Sequence, residues 1–413
     1  MRTGLGLAVA LVLAATPAAA QETDYGRLFE SLWSTVNEHF YDPHFRGADW
    51  AAIGERHRPR VRDVRTDDGF AALAAEMLAE VPSSHLSIRR PATATGTTGI
   101  GLRTERLEGQ SIVVEVQPLS DAWRQGLRPG DRLLTPEAVA GPLGSAAALA
   151  VEPCAGGRRE VAVRRESAFW PPERPGFRWR QIRSGPNQRI GYIRIDRFDD
   201  GAAELADRAM SDLKGASALV IDLRNNSGGN ASALRLASYF GPGAEPAIVL
   251  LARPWLAALG RPPTAADIAG APRVDGAYTD EAVFTAVSTH NGGAAFWTEA
   301  VDQRFERPVF LLIGPETASA AEGFAWYMRL RTPAVLIGRT SAAALLSSDT
   351  LDIGDGWRVT LPAHGLWGPD GRDYGDASVE PHVTTTWTRA DLCSGRDPDL
   401  EEALRRAEAP AGS

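Results

Sequence analysis

Residues 311–324 read LLIGPETASAAEGF. An apolar run meets Gly314 and Pro315, and a run of small residues then opens into an amphipathic segment ending near Leu330. This is a strand, a turn and a helix. The same plan occurs at 216–240, ASALVIDLRNNSGGNASALRLASYF, and short buried-type strands joined to helices argue for an α/β core. Ser319 stands at the mouth of the helix, and the spacing Ser319-Ala320-Ala321-Glu322 is that of a capping box, with serine at N-cap and glutamate at N3. The same position suits a nucleophile, because a helix N-terminus favours negative charge developing on an attacking oxygen. On this stretch by itself the cap is the better reading, and the remaining sequence has to decide.

The chain has 413 residues, a formal net charge of -8 and 44% apolar residues, enough for a sizeable core and more than one domain. The acidic balance and the absence of a long basic block exclude nucleic acid as an expected partner. The N-terminus, MRTGLGLAVALVLAATPAAAQ, has Arg2 ahead of a short apolar run and small residues before Gln21. It reads as an export signal (residues 1–20) cut after Ala20, which places the protein in a bacterial periplasm or the medium. The run is short for a bilayer span. An oxidising compartment permits a bridge between Cys154 and Cys393, which lie in separate segments. The seven histidines are scattered without an HExxH pattern or clustered cysteines, so neither a metal nor another cofactor is expected.

Residues 21–97 read as an N-terminal helical segment: in YGRLFESLWSTVNEHF, Phe29, Leu32, Trp33, Val36 and Phe40 share one face. From about 98 the apolar period changes to two, and GIGLR, SIVVEVQ, RLLTP and REVAVRR are strand candidates in a compact, mostly β module over 98–168. A Pro/Gly-rich connector follows at 171–187, then an α/β body over 188–390 interrupted at about 250–300 by an irregular insertion or lid. Residues 394–413 read as a polar tail with one short helix.

A serine is a poor nucleophile without a base. The interval 325–349 contains no lysine, which leaves histidine: His85 in PSSHLSI, with His44 and His364 as competitors. Gly228 and Gly229 in VIDLRNNSGGN can present backbone N–H groups to an oxyanion. Glu380 in GDASVEPHV is an acid able to orient the base, directly or through a serine hydroxyl. Each of these has an ordinary structural reading: a surface histidine, a βα turn, a solvated acid.

Together the segments resemble the C-terminal-processing and tricorn-core serine peptidases. FYDPHFRGADW, PSSHL, GIGLR with VQPLSDAWRQGLRPGDRLL, IGYIRIDRF, LVIDLRNNSGGN, ETASAAE, VLIGRT and VEPHV follow in the order of that family and cover nearly the whole mature chain. The resemblance implies an α/β catalytic core of ClpP/crotonase type, with the N-terminal helical segment and an inserted PDZ-like domain. One branch of the family pairs serine with lysine, but the corresponding position falls in the alanine-rich GRTSAAALL. The tricorn-like branch uses a Ser–His–Ser–Glu tetrad, which maps onto Ser319 as nucleophile, His85 as base, Ser84 beside it and Glu380 behind it. The oxyanion donors would be the N–H of Ala320 and of either Gly228 or Gly229. The PDZ-like domain would take a peptide or C-terminus beside Gly99, Ile100, Gly101 and Leu102, with an apolar end residue preferred.

The implied activity is peptide-bond hydrolysis by an exported serine endopeptidase through an acyl-enzyme. Its partner is a peptide or protein substrate, and an oligomer is compatible with the sequence. The competing readings are an inactive binder of peptides or small apolar ligands on the same fold, motivated by the altered SAAA segment, and a PDZ scaffold with a degenerate core.

Overall fold

The computed structural model describes residues 23–90, 97–139, 141–166, 176–183 and 189–408; the expected export signal lies outside these. Two six-stranded sheets and one five-stranded sheet organise the described residues, with a two-stranded ribbon beside them. The first sheet runs in the order 383–384, 335–338, 309–313, 218–222, 189–195, 177–183. All neighbours are parallel except the edge strand Phe177–Arg183. Both strand–turn–helix segments build this sheet. Val309–Ile313 and Ala218–Asp222 are buried at every position, which explains why they read as continuous apolar runs rather than alternating ones. Helices Ala202–Leu213 and Ala320–Arg331 make the crossovers between parallel neighbours.

The second sheet carries strands 87–89, 357–367, 246–252, 293–297 and 273–274 in that order, and Ser347–Gly354 pairs with Trp357–Trp367. Between the two sheets lies the largest core, with Leu219, Ile221, Leu311 and Ile313 on one side and Leu250 and Phe296 on the other. The opposite face of the second sheet packs on the N-terminal helices through Leu28, Leu32, Val36, Phe70 and Trp357. Asp24 caps the first of these helices by accepting from the N–H of Arg27 at 3.0 Å, and Asp49 caps another by accepting from Ala52 at 3.0 Å.

Two segments differ from their sequence reading. The expected irregular insertion at about 250–300 is ordered sheet and helix: Pro246–Ala252 and Gly293–Trp297 are antiparallel neighbours, and helix Asp280–Thr289 packs over them. Its glycines and prolines sit at the joints, as with Gly260 closing a helix at φ 59°. The expected polar tail contains helix Pro398–Glu408, whose Leu400, Ala403, Leu404 and Ala407 cover the outer face of the parallel sheet. Glu401, Arg405 and Glu408 are exposed, whereas Asp399 is buried against Arg224; the many charged residues are why composition by itself suggested a polar tail.

The five-stranded sheet runs in the order 102–107, 110–116, 132–133, 146–152, 159–164 and is antiparallel throughout. It has its own small core of Ile100, Val113, Leu127, Leu149, Val151 and Val163. A disulfide between Cys154 and Cys393 and the side chain of Arg389 fasten it to the C-terminal segment.

Candidate active site

Ser319 is the residue before helix Ala320–Arg331, with φ 52° and ψ -126°. This is an unfavourable backbone region for a residue with a side chain, of order 1–3 kcal/mol, and it persists only where surrounding contacts fix it. The contacts are numerous. The hydroxyl of Thr317 donates to the carbonyl of Leu223 (2.9 Å), and the N–H of Ala318 donates to the carbonyl of Asn226 (3.0 Å). The N–H of Ser319 reaches the carbonyl of Ala344 (2.8 Å) and the carboxylate of Glu322 (3.2 Å). Cap and candidate nucleophile are therefore one residue: the glutamate at N3 does reach back to the serine N–H.

The NNSGG turn lies directly against the serine. A Cβ on Gly228 would stand 2.5 Å from the Cβ of Ser319, and one on Gly229 would stand 1.7 Å from the carbonyl oxygen of Phe198. Their φ angles are 109° and 133°, so both positions require glycine on two counts. The N–H of Gly228 is held by the side-chain oxygen of Asn226 at 2.8 Å. No hydrogen bond among the described residues takes the N–H of Gly229 or of Ala320, and both residues line the cavity beside Ser319.

That cavity, about 310 Å³, also has His85 in its wall. The competing histidines do not line it: His44 is exposed, and His364 is buried on strand Trp357–Trp367 with burial pushing its imidazole down to about 4. His85 is a second non-glycine residue with positive φ, 59°, and its Nδ1 lies 3.2 Å from the hydroxyl of Ser84. Burial pushes its imidazole below the ordinary histidine value, and the nearby carboxylate of Asp376 opposes that shift. No hydrogen bond joins His85 to Ser319 among the described residues; unliganded sites commonly hold such pairs apart until substrate closes them. The rest of the cavity wall is mixed: Leu250, Val283 and Leu366 give it an apolar side, and Arg197, Asn230 and Asp280 a polar and charged one. The chain has a single lysine, Lys214, which lies at the C-terminal end of helix Ala202–Leu213 and does not line the cavity.

Glu380 is not brought to this group. Its side chain is exposed and accepts from the hydroxyls of Thr340 (2.7 Å) and Ser378 (3.4 Å). The carboxylate at the histidine is Asp376, whose Oδ1 accepts from the N–H of Ser84 at 2.9 Å. Arg46, from the FYDPHFRGADW segment, lies 3.4 Å from the other oxygen and also binds Tyr41 and Asp373. The sequence offered Asp370, Asp373, Asp376 and Glu380 within one short turn region, and only the path of the chain after Tyr374 separates them. Four residues downstream, the backbone has already left for the parallel sheet at Val383.

The residues expected to bind a peptide on the small β module divide. Ile100 is buried in the module core, so its side chain supports the module and is closed to a ligand. Leu102 begins strand Leu102–Leu107, which is terminal in its sheet, and Gly101 (φ 74°) packs where a Cβ would meet Ser120 at 2.7 Å. Gly99 has open space around it. No group of His, Cys, Asp or Glu among the described residues could hold a metal ion.

Residues 189–385 match Peptidase family S41 and residues 21–79 match the Tricorn protease C1 domain. The chain is 25% identical over 400 residues to a carboxyl-terminal-processing protease of Synechocystis, covering 90% of this chain and 83% of the relative. It is 24% identical over 407 residues to a chloroplastic C-terminal processing peptidase of Tetradesmus obliquus, covering 90% and 79%. Among solved structures, the photosystem II D1 C-terminal processing protease superposes with a TM-score of 0.57 at 18% identity, over 94% of this chain and 98% of that one. Mature CPAF complexed with lactacystin superposes with a TM-score of 0.64 at 14% identity, over 92% and 97%. The mixed α/β fold is thus shared with these proteins.

Proposed function

We infer that this chain, a serine-type peptidase carrying a Peptidase family S41 domain, hydrolyses peptide bonds through an acyl-enzyme on Ser319 with His85 as its base. One observation carries the assignment: Ser319, His85 and the unoccupied N–H groups of Gly229 and Ala320 border one cavity. With Nδ1–H donated to the Ser84 hydroxyl, His85 keeps a lone pair on Nε2. That nitrogen takes the proton of Ser319 Oγ as the oxygen attacks the scissile carbonyl. The oxyanion is met by Gly229 and Ala320, while Gly228 supplies the space that the serine needs. The protonated imidazole then gives its proton to the leaving amine. Asp376, through Ser84 and its charge, holds the imidazole in place. The chain contains no lysine near Ser319 that could replace the histidine.

The core fits the ClpP/crotonase-like class, and the five-stranded sheet fits a PDZ-like domain that adds a peptide strand to the free edge of Leu102–Leu107. Export is supported by the N-terminal sequence and by a disulfide, which suits an oxidising compartment. No helix of the described residues is long and apolar enough to cross a membrane. The test is a fluorophosphonate probe and a peptide substrate applied to the wild type and Ser319→Ala. The expected result is labelling and hydrolysis in the first and neither in the second, with unchanged circular dichroism. Equal hydrolysis by both pure proteins would refute the assignment.

A further inference from the structure

The alanine-rich turn 341–344 lies against the start of the helix that follows Ser319. Glu322 is fully buried one turn into the nucleophile helix. Its Oε1 accepts from the N–H of Ala343 (2.8 Å) and from the hydroxyl of Ser341; its Oε2 accepts from the N–H of Ala344 (2.8 Å) and of Ser319 (3.2 Å). An N3 glutamate acting as a helix cap needs the last of these bonds and none of the others. The turn answers in kind. The carbonyl of Ala344 accepts from Ser319 N–H at 2.8 Å, and the N–H of Ala342 donates to Thr317 at 3.0 Å. Ser341 passes the connection onward: its hydroxyl oxygen accepts from the N–H of Val379 at 2.7 Å, three residues after Asp376. One carboxylate thus joins the helix bearing Ser319 to the segment bearing the acid beside His85.

We propose that Glu322 is a positioning residue, whose buried carboxylate fixes the backbone of Ser319 by tying it to the 341–344 turn. The inference rests on Ser319 being the nucleophile. The donor set requires an acceptor-only group, and an ionised carboxylate is one. Glutamine is not: its amide NH₂ would face N–H and O–H donors. Glu322 does not line the cavity, so the clamp acts on the attacking atom and leaves substrate binding alone. This predicts a specific split. Reorientation of a nucleophile by a fraction of an ångström lowers the rate of its reactions, up to about a hundredfold, without altering how many molecules can react.

The experiment follows fluorophosphonate labelling of the full chain to completion, and peptide hydrolysis, for wild type, Glu322→Gln and Ser341→Ala. Glu322→Gln is expected to label to the same end point with a rate constant lower by about thirtyfold to a hundredfold, and with kcat reduced at unchanged KM. Ser341→Ala keeps the carboxylate and loses one donor, and a drop of about threefold to tenfold is expected. Rate constants within twofold of wild type in both variants overturn the proposal. So does a lower end point at an unchanged rate constant, which is the pattern of a stability defect. If Glu322→Gln does not fold, Ser341→Ala is judged by the same two readouts. A wild-type chain that is not labelled, or labelling that survives Ser319→Ala, overturns the nucleophile assignment and this inference with it.

Discussion

At the scale of single residues, the site depends on which acid faces His85. Burial lowers the affinity of His85 for a proton, and Asp376 raises it. As the proposed base, His85 works neutral, so activity is expected to fall on acidification as it becomes protonated, below the ordinary histidine value. Removing the carboxylate in Asp376→Asn removes the opposing influence, so the folded-state pKa drops further and the acid limb of kcat/KM moves to lower pH. The plateau rate falls as well, by up to about a hundredfold, because the negative charge that favours the imidazolium formed during the reaction is gone. Glu380→Gln is expected to leave both the limb and the plateau within about twofold of wild type, since its carboxylate faces Thr340 and Ser378. A pH–rate series on the two variants checks this, and a shifted limb in Glu380→Gln would exchange their roles. Residue identities were unevenly legible in the sequence. Ser319 and His85 stand in segments with distinctive neighbours, whereas Asp376 is one of several acids in a polar turn. Glu322 was visible as a cap, but its bonds to a turn some twenty residues away depend on how the chain returns.

At the scale of elements, the decisive fact is that two strand–turn–helix units lie side by side in one parallel sheet, with Asp222 opposite Leu312. Their turns therefore meet at the same sheet edge, the place where open α/β sheets carry their ligands. The apolar runs and the glycine pair made both units readable in the sequence. Periodicity could not show that Gly228 touches Ser319, since that contact links residues far apart in the chain. Nor could it show that 246–297 is a sheet with a helix on it, because its strands are separated by loops rich in breakers. The contact gives a sharp prediction. Gly228→Ala adds a Cβ 2.5 Å from that of Ser319 at a residue with φ 109°. The backbone strain alone costs of order 1–3 kcal/mol, and the serine must shift to make room. Expected are a lower melting temperature and loss of at least about a hundredfold in labelling rate. Normal labelling of a normally melting variant would show that the close approach is not required.

At the scale of the whole molecule, the small β module and the core are joined through the C-terminus. Cys154 lies in the turn between strands Ala146–Glu152 and Arg159–Arg164, and Cys393 lies in helix Arg389–Ser394. Beside the bridge, Arg389 donates to the carbonyls of Gly130 (2.9 Å), Glu152 (2.8 Å) and Pro153 (3.0 Å). Gly130 leaves no space there, since a Cβ would stand 2.5 Å from the sulfur of Cys154. The chain then continues into helix Pro398–Glu408, where Asp397 and buried Asp399 hold Arg224, the residue before Asn225 and Asn226 of the NNSGG turn. The pairing was undecidable from the sequence, because the two cysteines are 239 residues apart and two cysteines do not reveal whether their segments meet. A bridge closing so long a loop contributes about 2–4 kcal/mol in typical cases. In the double variant Cys154→Ser, Cys393→Ser, the free energy of opening the small β module is expected to fall by that amount. Its effect should also be local. Hydrogen exchange should rise across strands 102–164 and helix Arg389–Ser394, while the parallel strands Ala218–Asp222 and Val309–Ile313, buried at every position, remain protected. Ser319 should still label, because the serine turn keeps its own bonds to Leu223 and Asn226. A uniform rise in exchange would make the bridge a determinant of global stability; no rise at all would mean that Arg389 and its carbonyl partners hold the module without it.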